Sequence, residues 1–167
     1  EIWEQLGRRA PDWLVAPVGN GGLILGLWRG FQHLHQSGLV DRLPRLLAVQ
    51  AVPYTSIFDA FHNGNAHVEA DPRVERISAD GIAISQPVHA QSVLQAGRDS
   101  GGPVAAIEDS VVLKNQERLA LRGLFVEPTS ATVAAAIHQV GSSFAADDVI
   151  VAILSGHGLK HPPKFDL

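Results

Sequence analysis

The chain is organised around the stretch Trp13-Leu14-Val15-Ala16-Pro17-Val18-Gly19-Asn20-Gly21-Gly22. Its apolar first part predicts a strand, and residues 23–36 repeat apolar side chains at the spacing of a helix. The small residues between these elements let successive backbone N–H groups converge, and the first turn of the helix adds unpaired donors and a positive dipole end. The order strand, glycine turn and helix therefore favours an anion site such as a phosphate cradle.

The same glycine turn is also compatible with a plain connection between a strand and a helix, because such turns need glycine for backbone reasons alone. It is not a Walker loop, since no Gly-Lys-Ser/Thr follows, and its glycine spacing does not match the dinucleotide-binding fingerprint. Both interpretations, phosphate site and bare turn, stay open on these residues.

Composition restricts the class of protein. A chain of 167 residues with 46% hydrophobic content is long enough to bury an ordinary core, and we expect one α/β domain over residues 1–167. The 13 basic and 17 acidic residues give a net charge of −4, so no cationic surface points to nucleic acid or an anionic membrane as a partner. No metal site is expected, because His33 and His35 point to different faces of their predicted helix.

The residue types and segments that the chain lacks indicate its cellular compartment and whether it is part of a longer protein. The chain has no cysteine, which excludes a thiol nucleophile and agrees with a reducing compartment. It also lacks a membrane-length apolar run and the profile of a signal peptide, so we expect a cytoplasmic protein with no membrane partner. There is no methionine, and residues 1–6 read as helix interior. We therefore expect the chain to begin within a longer protein.

Apolar runs alternate with helical patterns along the chain. The predicted strands are residues 13–18, 46–51, 103–107 and 148–154, of which the last has the strongest pattern. The predicted helices are a first helix of about two turns before Pro11 and residues 23–36, 54–61, 86–98, 111–122 and 128–140. Residues 66–85 are expected to form a loop. Asp109 or Ser110 is expected to cap the helix 111–122. This alternation predicts an α/β fold with three layers, a doubly wound, mainly parallel sheet covered by helices on both faces.

A second unusual turn, residues 155–158, follows the last predicted strand. In a doubly wound sheet ligands collect beyond the carboxyl ends of the strands, so we expect the glycine turn and this turn to face one pocket. The Ser155 hydroxyl can donate to a ring nitrogen there, although a serine in such a position is more often an ordinary turn residue than a ligand contact. No nucleophile elbow surrounds it, which argues against a serine hydrolase.

Taken together, these segments resemble threonine synthase, in the family's own order: Val15-Ala16-Pro17-Val18-Gly19-Asn20-Gly21-Gly22-Leu23, Phe125-Val126-Glu127-Pro128-Thr129-Ser130-Ala131 and Ile153-Leu154-Ser155-Gly156-His157-Gly158-Leu159-Lys160. Threonine synthases are pyridoxal-phosphate enzymes of the tryptophan synthase β-subunit fold, fold type II. A further segment, residues 77–83, is similar both to threonine synthases and to threonine and serine dehydratases.

The resemblance implies a set of cofactor contacts. The backbone of Gly19, Asn20, Gly21 and Gly22 would hold the 5′-phosphate of pyridoxal 5′-phosphate, and Ser155 would be the hydrogen-bond partner of its pyridine nitrogen. Glu127 matches a family glutamate near the cofactor. It is also explained as a carboxylate favoured by a helix N-terminus.

This sequence departs from the family in two respects. The Schiff-base lysine of the family lies in a Ser-Phe-Lys-Asp motif, and Lys114, Lys160 and Lys164 have no such context, so no catalytic residue is expected in this chain. Plant-type threonine synthases commonly have asparagine where Leu23 stands, whereas dehydratases have leucine.

The chain therefore resembles the C-terminal portion of a threonine synthase, and is expected to be inactive alone. The intact enzyme would convert O-phosphohomoserine, a small amino-acid substrate, to threonine and phosphate. The alternatives are a threonine or serine dehydratase-like enzyme and a non-catalytic module that binds a phosphate-bearing ligand. Sheet surface left exposed would favour a homodimer.

Overall fold

The computed structural model of the protein describes residues 1–72 and 74–160. The elements in chain order are α1 (Ile2–Gln5), β1 (Trp13–Pro17), α2 (Gly22–Gln36), β2 (Arg45–Ala51), α3 (Ser56–His62), α4 (Ala90–Ser100), β3 (Val104–Ile107), α5 (Asp109–Ala120), α6 (Pro128–Gln139) and β4 (Ile150–Ala152). Short 3-10 turns lie at Asp80–Ile82, Gly141–Ser143 and Gly158–Lys160. Within the described ranges, no helix has the length and apolar character needed to cross a bilayer.

The strands form one four-stranded sheet in the order β3-β2-β1-β4, and every pair is parallel. Val15 of β1 lies opposite Leu47 of β2 on one side and opposite Ala152 of β4 on the other. The chain therefore winds from β1 through β2 to β3 in one direction, and then returns to place β4 on the free side of β1. The winding direction reverses between β1 and β4.

Helices cover both faces of the sheet, because successive side chains of a strand point to opposite faces. One face presents Leu14, Ala16 and Leu46 to a core formed with α2, α3 and α4. The other presents Val15 and Leu47 to a core formed with α5 and α6. The predicted three-layer, doubly wound α/β fold is confirmed.

The strand that was predicted from the strongest apolar pattern is the shortest strand of the described sheet. Residues 148–154 were expected to form the strongest strand, but β4 spans only Ile150–Ala152, and Ala152 is exposed. The expectation was wrong because apolar character does not indicate which neighbours a strand has. In the described sheet β4 pairs only with β1 and occupies an edge.

The predicted length of one helix and the predicted start of another were also wrong. α1 is a single turn rather than two. α4 begins at Ala90 rather than at residue 86, because the backbone N–H groups of Val88 and His89 donate to the side chain and the carbonyl of Asn20. Val88, an apolar residue within the predicted helix 86–98, lies before α4 and is 75% exposed.

Asp109 lies inside the first turn of α5 and does not cap it, since the N-cap position is Glu108. Its carboxylate instead accepts hydrogen bonds from the backbone N–H and the hydroxyl of Ser78, both at 2.8 Å. Asp109 therefore anchors the long loop before α4 to the carboxyl edge of the sheet, where β3 ends.

Candidate functional site

The glycine turn and the Ser155 turn lie at the same edge of the sheet. Residues 19–22 follow β1 and residues 155–158 follow β4, and these neighbouring strands are parallel and in register from Trp13 opposite Ile150 to Val15 opposite Ala152. The reversal of winding between β1 and β4 opens a crevice at the carboxyl ends, which is the usual ligand position in this type of sheet. The structure thus places the two predicted turns at the same edge of the sheet, after neighbouring strands.

The glycine turn has a shape that larger residues could not adopt. Gly21 has a φ of +92°, and a Cβ added to it would lie 2.5 Å from a methyl group of Val93. A Cβ on Gly19 would lie 3.0 Å from the carbonyl oxygen of Gly81. A Cβ on Gly22, in contrast, would meet nothing within 4 Å. The turn is therefore packed tightly from behind and is open on the side of Gly22.

The open side of this turn carries backbone donors. Among the described residues, the N–H groups of Gly19, Asn20 and Gly21 donate to no backbone carbonyl. The N–H groups in the first turn of α2, which begins at Gly22, have no partner within the helix. These groups and the positive end of the α2 dipole suit a phosphate. The residues present therefore fit the phosphate end of pyridoxal phosphate.

Asn20 fastens the turn to the start of α4. Its side-chain Oδ1 accepts from the Val88 N–H at 3.3 Å, and its carbonyl oxygen accepts from the His89 N–H at 3.1 Å. An anion binds donors rather than acceptors, and Asn20 can offer it the backbone N–H and the side-chain Nδ2 amide. The side chain holds the turn in shape.

The Ser155 turn is held by α6 and by the strand-like segment before it. Val126 and His157 form an antiparallel bridge, and the Glu127 N–H donates to the Gly156 carbonyl at 3.1 Å. The Ser130 hydroxyl accepts from the Gly156 N–H at 2.8 Å. Ser155 itself is exposed, so it is accessible to a ligand at this edge of the sheet.

Glu127 lies beside this turn at the N-terminus of α6. Its side chain is 12% exposed and pairs with Lys160, whose Nζ lies 3.5 Å from Oε2. A Cβ added to Gly156 would collide with the Glu127 carboxylate. The Glu127 carboxylate therefore lies against Gly156, the residue that follows Ser155, and pairs there with Lys160.

The lysines do not form an obvious reactive group. Lys160 is engaged with Glu127, and Lys114 is exposed on α5, on the face of the sheet that α6 also covers. Lys164 lies outside the described residues.

Two contributors to this edge were not predicted from the sequence. Ser130 lies in a segment that resembles threonine synthase, but the sequence predicted no role for it. The signal available was its position in the first turn of the small-residue helix α6, which places it near any group bound at the N-terminus of that helix. The turn at Gly81 packs on Thr129, so that a Cβ on Gly81 would lie 2.8 Å from the Thr129 hydroxyl. The Gly81 turn therefore lies between Gly19 and the start of α6.

Comparison with known proteins gives close relatives among threonine synthases. The chain is 36% identical over 165 residues to the threonine synthase of Methanocaldococcus jannaschii and 35% identical over 165 residues to that of Methanosarcina acetivorans. In each case the alignment covers 97% of this chain and 40% of the relative. The chain thus spans about 40% of the length of the relatives it matches, and the predicted resemblance to threonine synthase is confirmed.

Solved structures share the fold at lower identity. A threonine deaminase from T.th. superposes with a TM-score of 0.74 at 21% identity, covering 99% of this chain and 54% of that one. Threonine synthase from Escherichia coli gives a TM-score of 0.63 at 18% identity, covering 90% of this chain and 33% of that one. At these identities the similarity is one of fold.

The sequence profile of the family described as "Pyridoxal-phosphate dependent enzyme" matches residues 1–156, which include the glycine turn, Glu127 and Ser155. The chain belongs to the family of pyridoxal-phosphate dependent enzymes.

Proposed function

We propose that this chain supplies the cofactor-holding C-terminal portion of a threonine synthase, which converts O-phosphohomoserine and water to threonine and phosphate. The observation that carries the proposal is the position of two turns, residues 19–22 and 155–158, at the carboxyl ends of neighbouring strands where the winding reverses. The threonine synthases that align over 97% of the chain support this choice of reaction.

In this proposal the backbone N–H groups of Gly19, Asn20, Gly21 and Gly22 bind the phosphate of the cofactor. Their close packing against Gly81 and Val93 keeps them oriented before the ligand arrives, so little ordering is needed on binding. When bound, pyridoxal phosphate supplies an electron sink for reactions at the α-carbon of an amino acid.

Ser155 holds the ring nitrogen end of the cofactor. A neutral hydroxyl donates a hydrogen bond to an unprotonated nitrogen, whereas a carboxylate at this position would favour the protonated ring. Glu127 lies next to this position, and its pairing with Lys160 at 3.5 Å offsets its charge. Ser155 therefore sets the protonation of the ring more directly than Glu127 does.

The chain alone is proposed to be inactive, because none of its lysines has the sequence context of the Schiff-base lysine. Incubation with pyridoxal 5′-phosphate, followed by borohydride reduction and peptide mapping, tests this. We expect reversible binding without modification of any single lysine. Specific modification of Lys114, Lys160 or Lys164 would contradict the proposal.

The phosphate cradle is tested by comparing two glycines that share a positive φ. Gly21 has a φ of +92° and a blocked Cβ position, whereas Gly38 has a φ of +67° and nothing within 4 Å of its Cβ position. Gly21→Ala should weaken binding of pyridoxine 5′-phosphate at least roughly tenfold, about 1.4 kcal/mol, in a calorimetric titration. Gly38→Ala carries similar backbone strain at the other end of α2 and should bind normally. Equal affinities of the two variants for pyridoxine 5′-phosphate would contradict the proposal that residues 19–22 bind the phosphate.

A threonine or serine dehydratase is the second candidate, and Leu23 favours it because dehydratases have leucine after the glycine turn. Assays of the longer protein distinguish the two reactions. Release of phosphate with formation of threonine from O-phosphohomoserine supports threonine synthase. Release of ammonia from threonine or serine instead supports the dehydratase. Binding of the phosphate-bearing probe with neither activity indicates a non-catalytic module.

A further inference from the structure

Ser130 is a buried hydroxyl directly behind the Ser155 turn. It lies in the first turn of α6 and is 0% exposed, so solvent does not compete for its hydrogen bonds. Its oxygen accepts from the Gly156 N–H at 2.8 Å, and its O–H has the Gly156 carbonyl oxygen at 3.1 Å. The Ser155 oxygen lies 3.5 Å away. Ser130 thus contacts both the backbone and the side chain of the turn.

A serine hydroxyl has one proton to donate, and Ser130 has two acceptors for it. When that proton is directed to the Gly156 carbonyl, the Ser155 hydroxyl is free to donate toward Ser130. When it is directed to the Ser155 oxygen, Ser155 can donate only outward, into the crevice. A Ser130 proton on Ser155 therefore commits the Ser155 proton to the outward direction, whereas a Ser130 proton on the Gly156 carbonyl leaves Ser155 able to donate in either direction.

These two arrangements correspond to two states of a pyridine nitrogen. An unprotonated nitrogen accepts a hydrogen bond and requires Ser155 to donate outward. A protonated nitrogen donates and requires Ser155 to accept. In the outward arrangement the donors run in sequence from the Gly156 N–H to Ser130, then to Ser155 and then to the ring, and each bond polarises the next.

We propose that Ser130 is a positioning residue that directs the Ser155 hydroxyl into the crevice and thereby favours the unprotonated ring of the bound cofactor. The inference rests on the proposed function, since it takes Ser155 as the partner of the ring nitrogen. Ser130 does not touch the ring and acts only through Ser155.

The test measures the pKa of the ring nitrogen of a bound probe. Pyridoxine 5′-phosphate labelled with nitrogen-15 in the ring has no aldehyde and needs no lysine, so it reports on this chain as it stands. Its nitrogen chemical shift is followed against pH when the probe is bound to the chain. We expect Ser130→Ala to raise the pKa of the bound ring nitrogen by about half to one unit, the size of one neutral hydrogen bond.

A double-variant cycle separates positioning from a purely structural role. Ser155→Ala should raise the pKa of the ring nitrogen at least as far as Ser130→Ala does. The double variant should match Ser155→Ala alone, because Ser130 has nothing to act through once the Ser155 hydroxyl is gone. Additive shifts in the double variant, or no shift in Ser130→Ala, would overturn the inference while leaving the proposed function intact.

Thr132 provides the matched control. It is also 0% exposed on α6, but its hydroxyl donates to the Thr129 carbonyl at 2.7 Å within the helix. Thr132→Val removes a buried hydroxyl from the same helix and should leave the pKa of the ring nitrogen unchanged. If Ser130→Ala does not fold, Ser130→Cys preserves the side-chain shape with a weaker donor, and a shift in the same direction is expected. Failure of the unaltered chain to bind the probe would overturn the proposed function and this inference with it.

Discussion

The indole of Trp13 in β1 donates to the carboxylate of Asp148, at 2.8 Å from Nε1 to Oδ2, and so joins the start of β1 to the segment that enters β4. The same carboxylate oxygen accepts from the Ala145 N–H at 2.9 Å. Asp12 contributes from the other side, accepting from the Val149 N–H at 2.8 Å and pairing with Arg42 at 2.7 Å. These bonds fix an edge strand that pairs with β1 alone in the described sheet.

Asp148 should make stability depend on pH. The hydrogen bond from the Ala145 backbone, followed by that from Trp13, lowers the pKa of Asp148 below its ordinary value. Because the folded pKa is depressed, this stabilisation is fully present above the unfolded value of about 3.9 and is lost as the pH falls through the folded value. Urea unfolding at pH 7 and near pH 3 should show a smaller loss in Asp148→Asn than in the unaltered chain. Asp147→Asn is the control and should retain the full loss.

Asn20 should affect ligand affinity through two separable properties. Asn20→Ala removes the acceptor for the Val88 N–H and should weaken binding of pyridoxine 5′-phosphate several-fold, in line with a loss of about 1 kcal/mol. Asn20→Asp keeps an acceptor but places a carboxylate beside the phosphate, so it should bind more weakly than Asn20→Ala, and most strongly so at low salt. Titrations of both variants at two salt concentrations provide the measurement. Tighter binding by Asn20→Asp than by Asn20→Ala would mean that no anion binds at this turn.

Gln50 should contribute to stability as an acceptor for α3, the helix that follows its own strand. It is 1% exposed at the end of β2, and its Oε1 accepts from the N–H groups of Ile57 at 3.0 Å and Phe58 at 2.9 Å in the first turn of α3. Gln50→Met keeps the size of the side chain but leaves these donors unsatisfied, at a cost of about 1–3 kcal/mol. Urea unfolding measures this cost. Gln36→Met, at the exposed end of α2, should be neutral, and an equal effect of the two substitutions would rule out the assigned role of Gln50.

The exposed edge of β4 should support a homodimer of the chain. An unpaired strand edge is a template for pairing with another chain, and lysine on such an edge opposes it. Ala152 is exposed on β4, so Ala152→Lys should shift sedimentation velocity profiles toward the monomer. Leu121→Lys is the control and should leave the profiles unchanged. Leu121 is exposed and follows α5, outside β4. A monomeric unaltered chain at all concentrations would refute the dimer.

The fold could be predicted because its strands and helices differ in periodicity and alternate along the chain. β1 and β2 are buried on both faces, and their residues form short apolar runs, as buried parallel strands do. β4 has the same apolar pattern, but its burial depends on a neighbour, and residue patterns do not identify neighbours. Its length was therefore overestimated.

The candidate site could be predicted only where it is local in the chain. The glycine turn and the Ser155 turn each follow a strand and are recognisable from adjacent residues. The contact of Ser130 with Gly156 joins residues 26 positions apart and depends on the bridge between Val126 and His157. The hydrogen bond from the Val88 N–H to Asn20 spans 68 positions and lies just before α4, which begins four residues later than predicted. Such distant hydrogen bonds have no periodic signature.

Because the winding reverses between β1 and β4, the affinity for a ligand that contacts both turns depends on β4. A molecule that contacts both turns binds only when β4 is docked beside β1, so its binding energy adds to the free energy of that docking. Amide hydrogens of β1 and β4 that open with the edge strand would then exchange more slowly with the ligand present, while those between β2 and β3 would change less. Cofactor binding and docking of β4 against β1 are in this sense one equilibrium, and β4 reports on both.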